Sequence, residues 1–370
     1  MLDLSKLVLQ LNNKIPNLLK RREERRRYSE TLTGQIEKLL ERGDGEAVIA
    51  EKTGNKVVLK LNYTFQKATD LNRWALKVLR GVTVVAVDGS QVEVSKHITP
   101  SLGLINVGFS VRIPGESEGF CLSGSLPVVV SGELLEKGGI YQEDLVGSHA
   151  FISFLRWRWE VKVVKCIVSN LLGVEPECNG CEAREICELS RLKGKINEEV
   201  KSSVYVLLDS PLILSFAKHY REPFSSMYIE ELEDLLDFLS SFEVSVAGVI
   251  ANSFAREVVN TLWSLSGKPL VEVEKPLLPP DSVFLNGRFL REFGDRTPFF
   301  LSRRDILRFY RRWRDKIGFF YVKTSTGLPL RIETPDYVCK KGLLKGLWEV
   351  VCADATVGRG YPFSLAKAHE

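Results

Sequence analysis

Two hydrophobic periodicities divide this chain, and they change places at Val82. Ahead of it, Leu4, Val8 and Leu11, and later Ile36, Leu39 and Leu40, recur at the three-to-four-residue spacing that lines one helical face. The spacing predicts helix over residues 1–44, with Pro16 as a break and Gly43-Asp44-Gly45 as the stop. A short strand or hairpin is expected in AVIAEKTGNKVVLK, then a helix over about 64–79. From Val82 onward β-branched runs take over. VTVVAVD, LGLINVGFSVRI at 102–113 and LPVVV at 126–130 predict three successive strands. A long helical run from about Tyr141 to Leu172 follows, then strand VYVLLD at 204–209 and a helix near 229–241. Strand VSVAGVI, a helix over about 252–266, and the strands FFYVKT and PLRIETP close the pattern. Three strands, a helix, then alternating strand and helix describe an α/β mixed sheet with helices on its faces. The boundaries drawn are a helical region with a short hairpin over 1–80 and a single α/β domain over 81–370.

Composition changes little in that picture. The 370 residues are 44% hydrophobic and 26% charged, an ordinary globular balance. No apolar run reaches the length of a membrane span, and the opening MLDLSKLVLQLNNK lacks the small-residue cleavage site of a signal peptide. A cytoplasmic location is the expectation.

Charge adds a local signal. The net charge of +4 is too small to imply nucleic acid by itself, but basic residues cluster in KRREERRR (20–27), RWRWEVKVVK (156–165) and RRDILRFYRRWRDK (303–316). The first reads as a solvated helix face with internal ion pairs. The other two mix Arg with aromatic rings, the residue types of a single-strand groove. Helical spacing equally explains their aromatics as core, with Phe309 and Trp313 four apart and facing inward together.

The candidate chemistry lies at strand ends. Asp88 closes one buried run and Asp209 another. Asp-Gly is also a strong hairpin signal, so Asp88 read locally opens a turn at Gly89 into a second strand. If the two strands are neighbours, their carboxylates share the sheet edge where α/β ligand crevices form. Two acids that close together need a cation between them, and hard oxygen donors suit Mg²⁺ or Mn²⁺. Glu160, inside an otherwise basic and aromatic helix, is the natural third acid. Its alternative is an intrahelical ion pair with Arg156, the basic residue of that helix available to DNA. Lys323 and Arg331 are candidates for phosphate contacts or are ordinary surface charge.

In chain order, VDGS at 87–90, the Arg and Glu of RWRWE, LLDSPLI at 207–213, GVIANS at 248–253, YVKTSTGLPLRIETP at 321–335 and GYPFSLAKAH at 360–369 resemble the NurA nuclease family. The resemblance covers the chain from about residue 80 to its end. It implies an RNase H-like core and a Mn²⁺-dependent DNA nuclease with 5′ to 3′ exonuclease and single-strand endonuclease activity. It further implies a homodimer working with a HerA-type hexameric translocase in DNA end resection and double-strand break repair. Carried onto this chain, Asp88, Glu160 and Asp209 resemble the metal ligands, His369 a further metal-site or proton-handling residue, and Tyr361 its companion. The tail holding Tyr361 and His369 shows no core demand of its own. One departure is GVIANS, where Ala251 and Asn252 stand in place of an expected basic residue. A DNA-binding adaptor without turnover and a nuclease acting on RNA remain alternatives.

A second departure is the cysteine-rich insertion at about 166–200. Four of the seven cysteines, Cys166, Cys178, Cys181 and Cys187, fall there. In a cytoplasmic protein that concentration asks for metal rather than disulfides. The C-x2-C-x5-C core resembles the iron-sulfur motif of RecB-type nucleases, and thiolates suit a [4Fe-4S] cluster, Zn²⁺ or neither.

Overall fold

The computed structural model describes residues 4–42, 51, 58–61, 68–92, 102–113, 119–131, 147–174, 187–193, 203–220, 222–265 and 278–370. Its strands form one eight-stranded mixed sheet in the order β3-β2-β1-β4-β5-β8-β7-β6. Strands β1 (Thr83–Val92), β2 (Leu102–Ile113) and β3 (Phe120–Ser131) make an antiparallel meander. Strands β4 (Val204–Leu208) and β5 (Ser245–Ile250) continue in parallel from β1. β8 (Leu330–Pro335), β7 (Ile317–Val322) and the short β6 (Phe300–Leu301) close the sheet antiparallel. This is the mixed, helix-flanked sheet with an N-terminal helix that the strand pattern and the RNase H-like resemblance led us to expect. Val84, Val85, Ala86 and Val87 are buried because β1 has helices on both faces and a strand on each side, the environment that β-branched residues fit.

The helices are α1 (Leu4–Arg42), α2 (Ala68–Arg80), α3 (Gly147–Leu172), α4 (Phe224–Ser241), α5 (Glu257–Leu265), α6 (Asp281–Leu285), α7 (Asp336–Lys340), α8 (Leu344–Val357) and α9 (Phe363–His369). Among the described residues no helix is long and apolar enough to cross a membrane.

The structure departs from the sequence pattern at three places. Helix α1 runs through Pro16 without a break. The residues around it are exposed, so the carbonyl that loses its partner to the proline ring is free to bond water. The Asp88-Gly89 pair makes no turn, since β1 continues to Val92 in register with β2, Asp88 opposite Gly108 and Val92 opposite Leu104. A complete cross-strand ladder here outweighs the local hairpin preference. The tail does carry core, for Leu365 and Ala368 of α9 are buried. The expected 47–60 hairpin lies mostly outside the described residues; Leu59 exchanges backbone hydrogen bonds with Arg296 at 2.9 and 3.0 Å.

The three basic clusters are largely self-satisfied. Glu23 pairs with Arg26 and Arg27 on α1, the solvated face expected. Trp157 and Trp159 are buried while Arg158 pairs with Glu231 at 2.8 Å. In 303–316 the paired inward facing fails. Trp313 is buried and donates to Asp237, Phe309 is exposed, and Arg312 engages Asp234 and Asp237 of α4. The segment is a short 3-10 turn over Asp305–Phe309, which does not hold the helical four-residue spacing.

Candidate active site

The pairing of β1 with β4 ends at Val87 opposite Leu208, so Asp88 and Asp209 follow at the same level, on the carboxyl edge of the parallel part of the sheet. Beyond that point β1 continues while the chain leaves β4. The departing loop is fixed by the Ile213 N–H donating to Glu333 Oε2 at 2.9 Å.

Successive residues of a strand face opposite sides, and here each side admits a helix. Gly89 faces α3. A Cβ there would collide with Glu160 Oε1 and lie 2.9 Å from Arg156 Cγ, so only glycine lets the Glu160 carboxylate reach the strand. Arg156 spans the contact, donating to Gly89 O at 2.8 Å and to Glu160 Oε1 at 2.6 Å. The intrahelical ion pair considered from the sequence is therefore present, at the sheet edge. Burial pushes the Glu160 carboxyl up to about 7; Arg156 opposes the rise, and Asp88 and Asp209 add to it.

On the other face Gly108, opposite Asp88, lies under α9, and a Cβ there would collide with the carbonyl oxygen of Ala368. The helix is held by buried Asp354. Its carboxylate accepts the Ser364 N–H at 2.9 Å and an Arg112 N–H at 2.5 Å. That grip delivers His369, whose Nδ1 lies 2.7 Å from Asp88 Oδ2. The hydrogen bond and the charge of Asp88 raise the His369 pKa above its ordinary value. In the turn ahead of α9, Tyr361 donates to Asp209 Oδ1 at 2.7 Å. Asp209 has an exposed surface, yet protein atoms crowd its carboxylate. Desolvation raises its pKa, Asp88 adds to the rise, and the Tyr361 bond opposes it.

Asp88, Glu160, Asp209, Arg156, Tyr361 and His369 thus meet at one edge. Lys323 and Arg331 do not join them as phosphate contacts. The Lys323 ammonium is buried against Asn286 Oδ1 and the Gly327 carbonyl, and burial lowers its pKa. Arg331 is 1% exposed and ion-paired to Glu257 at 2.5 Å and Glu333 at 2.8 Å, its guanidinium lying over the Phe319 ring. Burial opposes its charge, and the two carboxylates keep it protonated. Arg331→Ala should leave two buried carboxylates short of their cation and lower stability by about 3–5 kcal/mol, read from the denaturation midpoint.

Cys178 and Cys181 lie outside the described residues. Cys166, on α3, and Cys187 are both half-buried against the main core, and the turn Leu189–Leu192 that follows Cys187 packs on α3. Among the described residues no group of three His, Cys, Asp or Glu side chains forms a ready metal cage.

Sequence reasoning missed the two approach glycines and the Arg112–Asp354–Ser364 clamp. A lone glycine inside an apolar run, as in LINVGFSV, is a signal of close backbone approach that was open to reading. The clamp joins residues distant in sequence and leaves no local trace.

One solved structure, described as a crystal structure of NurA bound to dAMP and manganese, is similar over 98% of this chain and 92% of that chain, with 12% identity and a TM-score of 0.38. No curated protein sequence matches. The family model described as the NurA domain matches residues 82–370, from the first strand of the sheet through the helix that carries His369. The chain belongs to the NurA family.

Proposed function

We propose that this protein hydrolyses DNA phosphodiester bonds with a divalent cation, Mn²⁺ or Mg²⁺, held at the Asp88–Glu160–Asp209 edge. The observation that supports it is the meeting of Asp88 on β1, Asp209 just past β4 and Glu160 on α3 at one sheet edge, where the first two carboxylates act electrostatically on the third. The donor chemistry fits such a cation. Each carboxylate gives one oxygen to a protein donor or to His369, Glu160 to Arg156, Asp88 to His369 and Asp209 to Tyr361. The remaining oxygens are hard donors whose mutual repulsion a cation relieves. When bound, the cation supplies Lewis acidity toward phosphate and water.

The chain's own residues divide the rest of the work. Arg156, partly exposed beside Glu160, keeps that helix on β1 and offers positive charge to a phosphate. Tyr361 orients the Asp209 carboxylate. His369, exposed and paired with Asp88, which raises its pKa, is placed to hand a proton to a leaving oxygen. On this reading the protein acts as a 5′ to 3′ exonuclease and single-strand endonuclease in DNA end resection, as a homodimer beside a HerA-type hexameric ATPase. End-labelled single-stranded DNA, duplex DNA and RNA, each incubated with Mn²⁺, Mg²⁺ or EDTA, test it. Cleavage of DNA that EDTA abolishes is expected, and the absence of cleavage under both metals would overturn it.

The raised pKa of Glu160 sets a pH dependence. A carboxyl whose folded pKa stands above the ordinary 4.5 contributes stability that is present at acid pH and lost as pH rises through about 7. Metal-free protein in EDTA should therefore melt lower at about pH 8 than at about pH 5. Mn²⁺ should raise the melting temperature more at the alkaline end, because the ion takes the deprotonated carboxylates. Calorimetry at the two pH values with and without metal reads both effects.

A further inference from the structure

The loops leaving the carboxyl ends of β4 and β5 carry aromatic rings that stand wholly or partly in solvent. Phe254, four residues past β5, is 81% exposed between two buried residues, Ser253 and Ala255. Its loop is pinned. The Ser282 hydroxyl donates to Ser253 O at 2.9 Å, the Asp281 N–H donates to Ala255 O at 2.8 Å, and Asn252 sits at φ 51°. A fixed backbone thus holds a bare ring in water, at a cost in apolar exposure that the fold itself does not require. On the adjacent loop, which begins at Asp209, Phe216 is 36% exposed and Tyr220 is half-buried. Tyr220 stacks on Tyr228 with centroids 5.4 Å apart and planes 15° from parallel, and Phe216 meets Tyr228 edge-on at 5.3 Å. Tyr228 in turn rests on Phe154 of α3 at 5.2 Å, two residues before Arg156. Phe216 and Tyr220 therefore rise from the core that also carries Arg156, with His219 and Lys218 exposed between them, the lysine within 3.4 Å of Asp305.

Rings on two loops with basic side chains beside them are the elements that hold unpaired bases, because every base has a face to stack and every linkage a charge to neutralise. A folded protein partner would instead call for a contiguous apolar patch, and the chain neighbours of Phe254 that reach the surface are Asn252 and Arg256. Resting on the nuclease reading above, we propose that Phe254, Phe216 and Tyr220 form a base-stacking track that receives single-stranded DNA next to the Asp88–Asp209 edge. The track selects unpaired strands, since a duplex keeps its base faces covered. It also gives the loop after GVIANS a grip on DNA that uses a ring where a basic residue was expected.

The test measures binding without turnover. Fluorescein-labelled oligothymidylate, and a strand of equal length made wholly of abasic units, are titrated with full-length protein in EDTA and followed by anisotropy. Phe254→Ala should weaken oligothymidylate binding by about tenfold, within the range for loss of one stacked base, and leave the abasic strand unaffected. Phe254→Trp should restore it, and Phe216→Ala should change it in the same direction as Phe254→Ala. Unchanged oligothymidylate binding by Phe254→Ala, or an equal loss on both strands, would overturn the track. Failure of the nuclease reading shows separately, as wild-type protein that does not cut with Mn²⁺, and leaves the binding comparison intact.

Discussion

Asp88→Asn and Asp209→Asn are each expected to lower metal-dependent DNA cleavage by on the order of 10³-fold, about 4 kcal/mol of transition-state stabilisation. The amide keeps the shape of the side chain and removes its charge, so the cation loses a donor while the fold is little disturbed. Folding should even ease slightly, because each substitution removes a like charge from the environment that raises Glu160. DNA binding in EDTA should be largely retained, since replacing a carboxylate by an amide removes no positive charge from the surface that attracts phosphate. Cleavage rates under saturating Mn²⁺, paired with anisotropy in EDTA, read both quantities. Near-normal cleavage by either variant would remove that aspartate from the site.

Gly108→Val should be nearly as severe without touching any reacting group. The added side chain collides with the backbone of Ala368, which cannot rotate away as a side chain would, so α9 must lift off β2. His369 then leaves Asp88, and activity should fall to the level of His369→Ala. Overpacking should lower stability by about 1–3 kcal/mol. In His369→Ala itself α9 stays in place, because Leu365, Ala368 and the Asp354 clamp do not involve the imidazole, and stability should be nearly normal. The pair of variants separates the position of the helix from the chemistry of its histidine. Gly108→Val with full activity would show that α9 is not needed where it lies.

Much of the sheet was legible because its strands announce themselves by β-branched runs. LGLINVGFSVRI coincides with β2 residue for residue. Asp88 and Asp209 were legible for the same reason, as charges at the ends of such runs. Two of the errors, the Asp-Gly turn and the surface cations, share one physical source, tertiary context overriding a local preference. Asp-Gly suggests a turn, and here it is a strand whose glycine makes room for Glu160. Lys323 and Arg331 look like surface cations in a polar loop and strand, and they are buried because partners from distant segments satisfy them. Glu257 and Glu333 are visible in the sequence, but nothing local tells that both converge on Arg331. Phe254 and Phe216 passed unnoticed because a ring standing alone in a loop breaks no periodicity.

The contacts that complete the edge join segments very far apart along the chain. Asp88 and His369 are separated by 281 positions, Asp209 and Tyr361 by 152, and Ile213 and Glu333 by 120. Closing loops of that length has an entropic cost before any contact compensates it, so such pairings form late as a chain folds and tend to open early as it is perturbed. The meander β1–β3 has no such burden. In mild denaturant the Asp88–Asp209 edge should therefore come apart while most of the sheet's circular dichroism persists. Loss of activity would then mark a partly opened ensemble well before the cooperative transition.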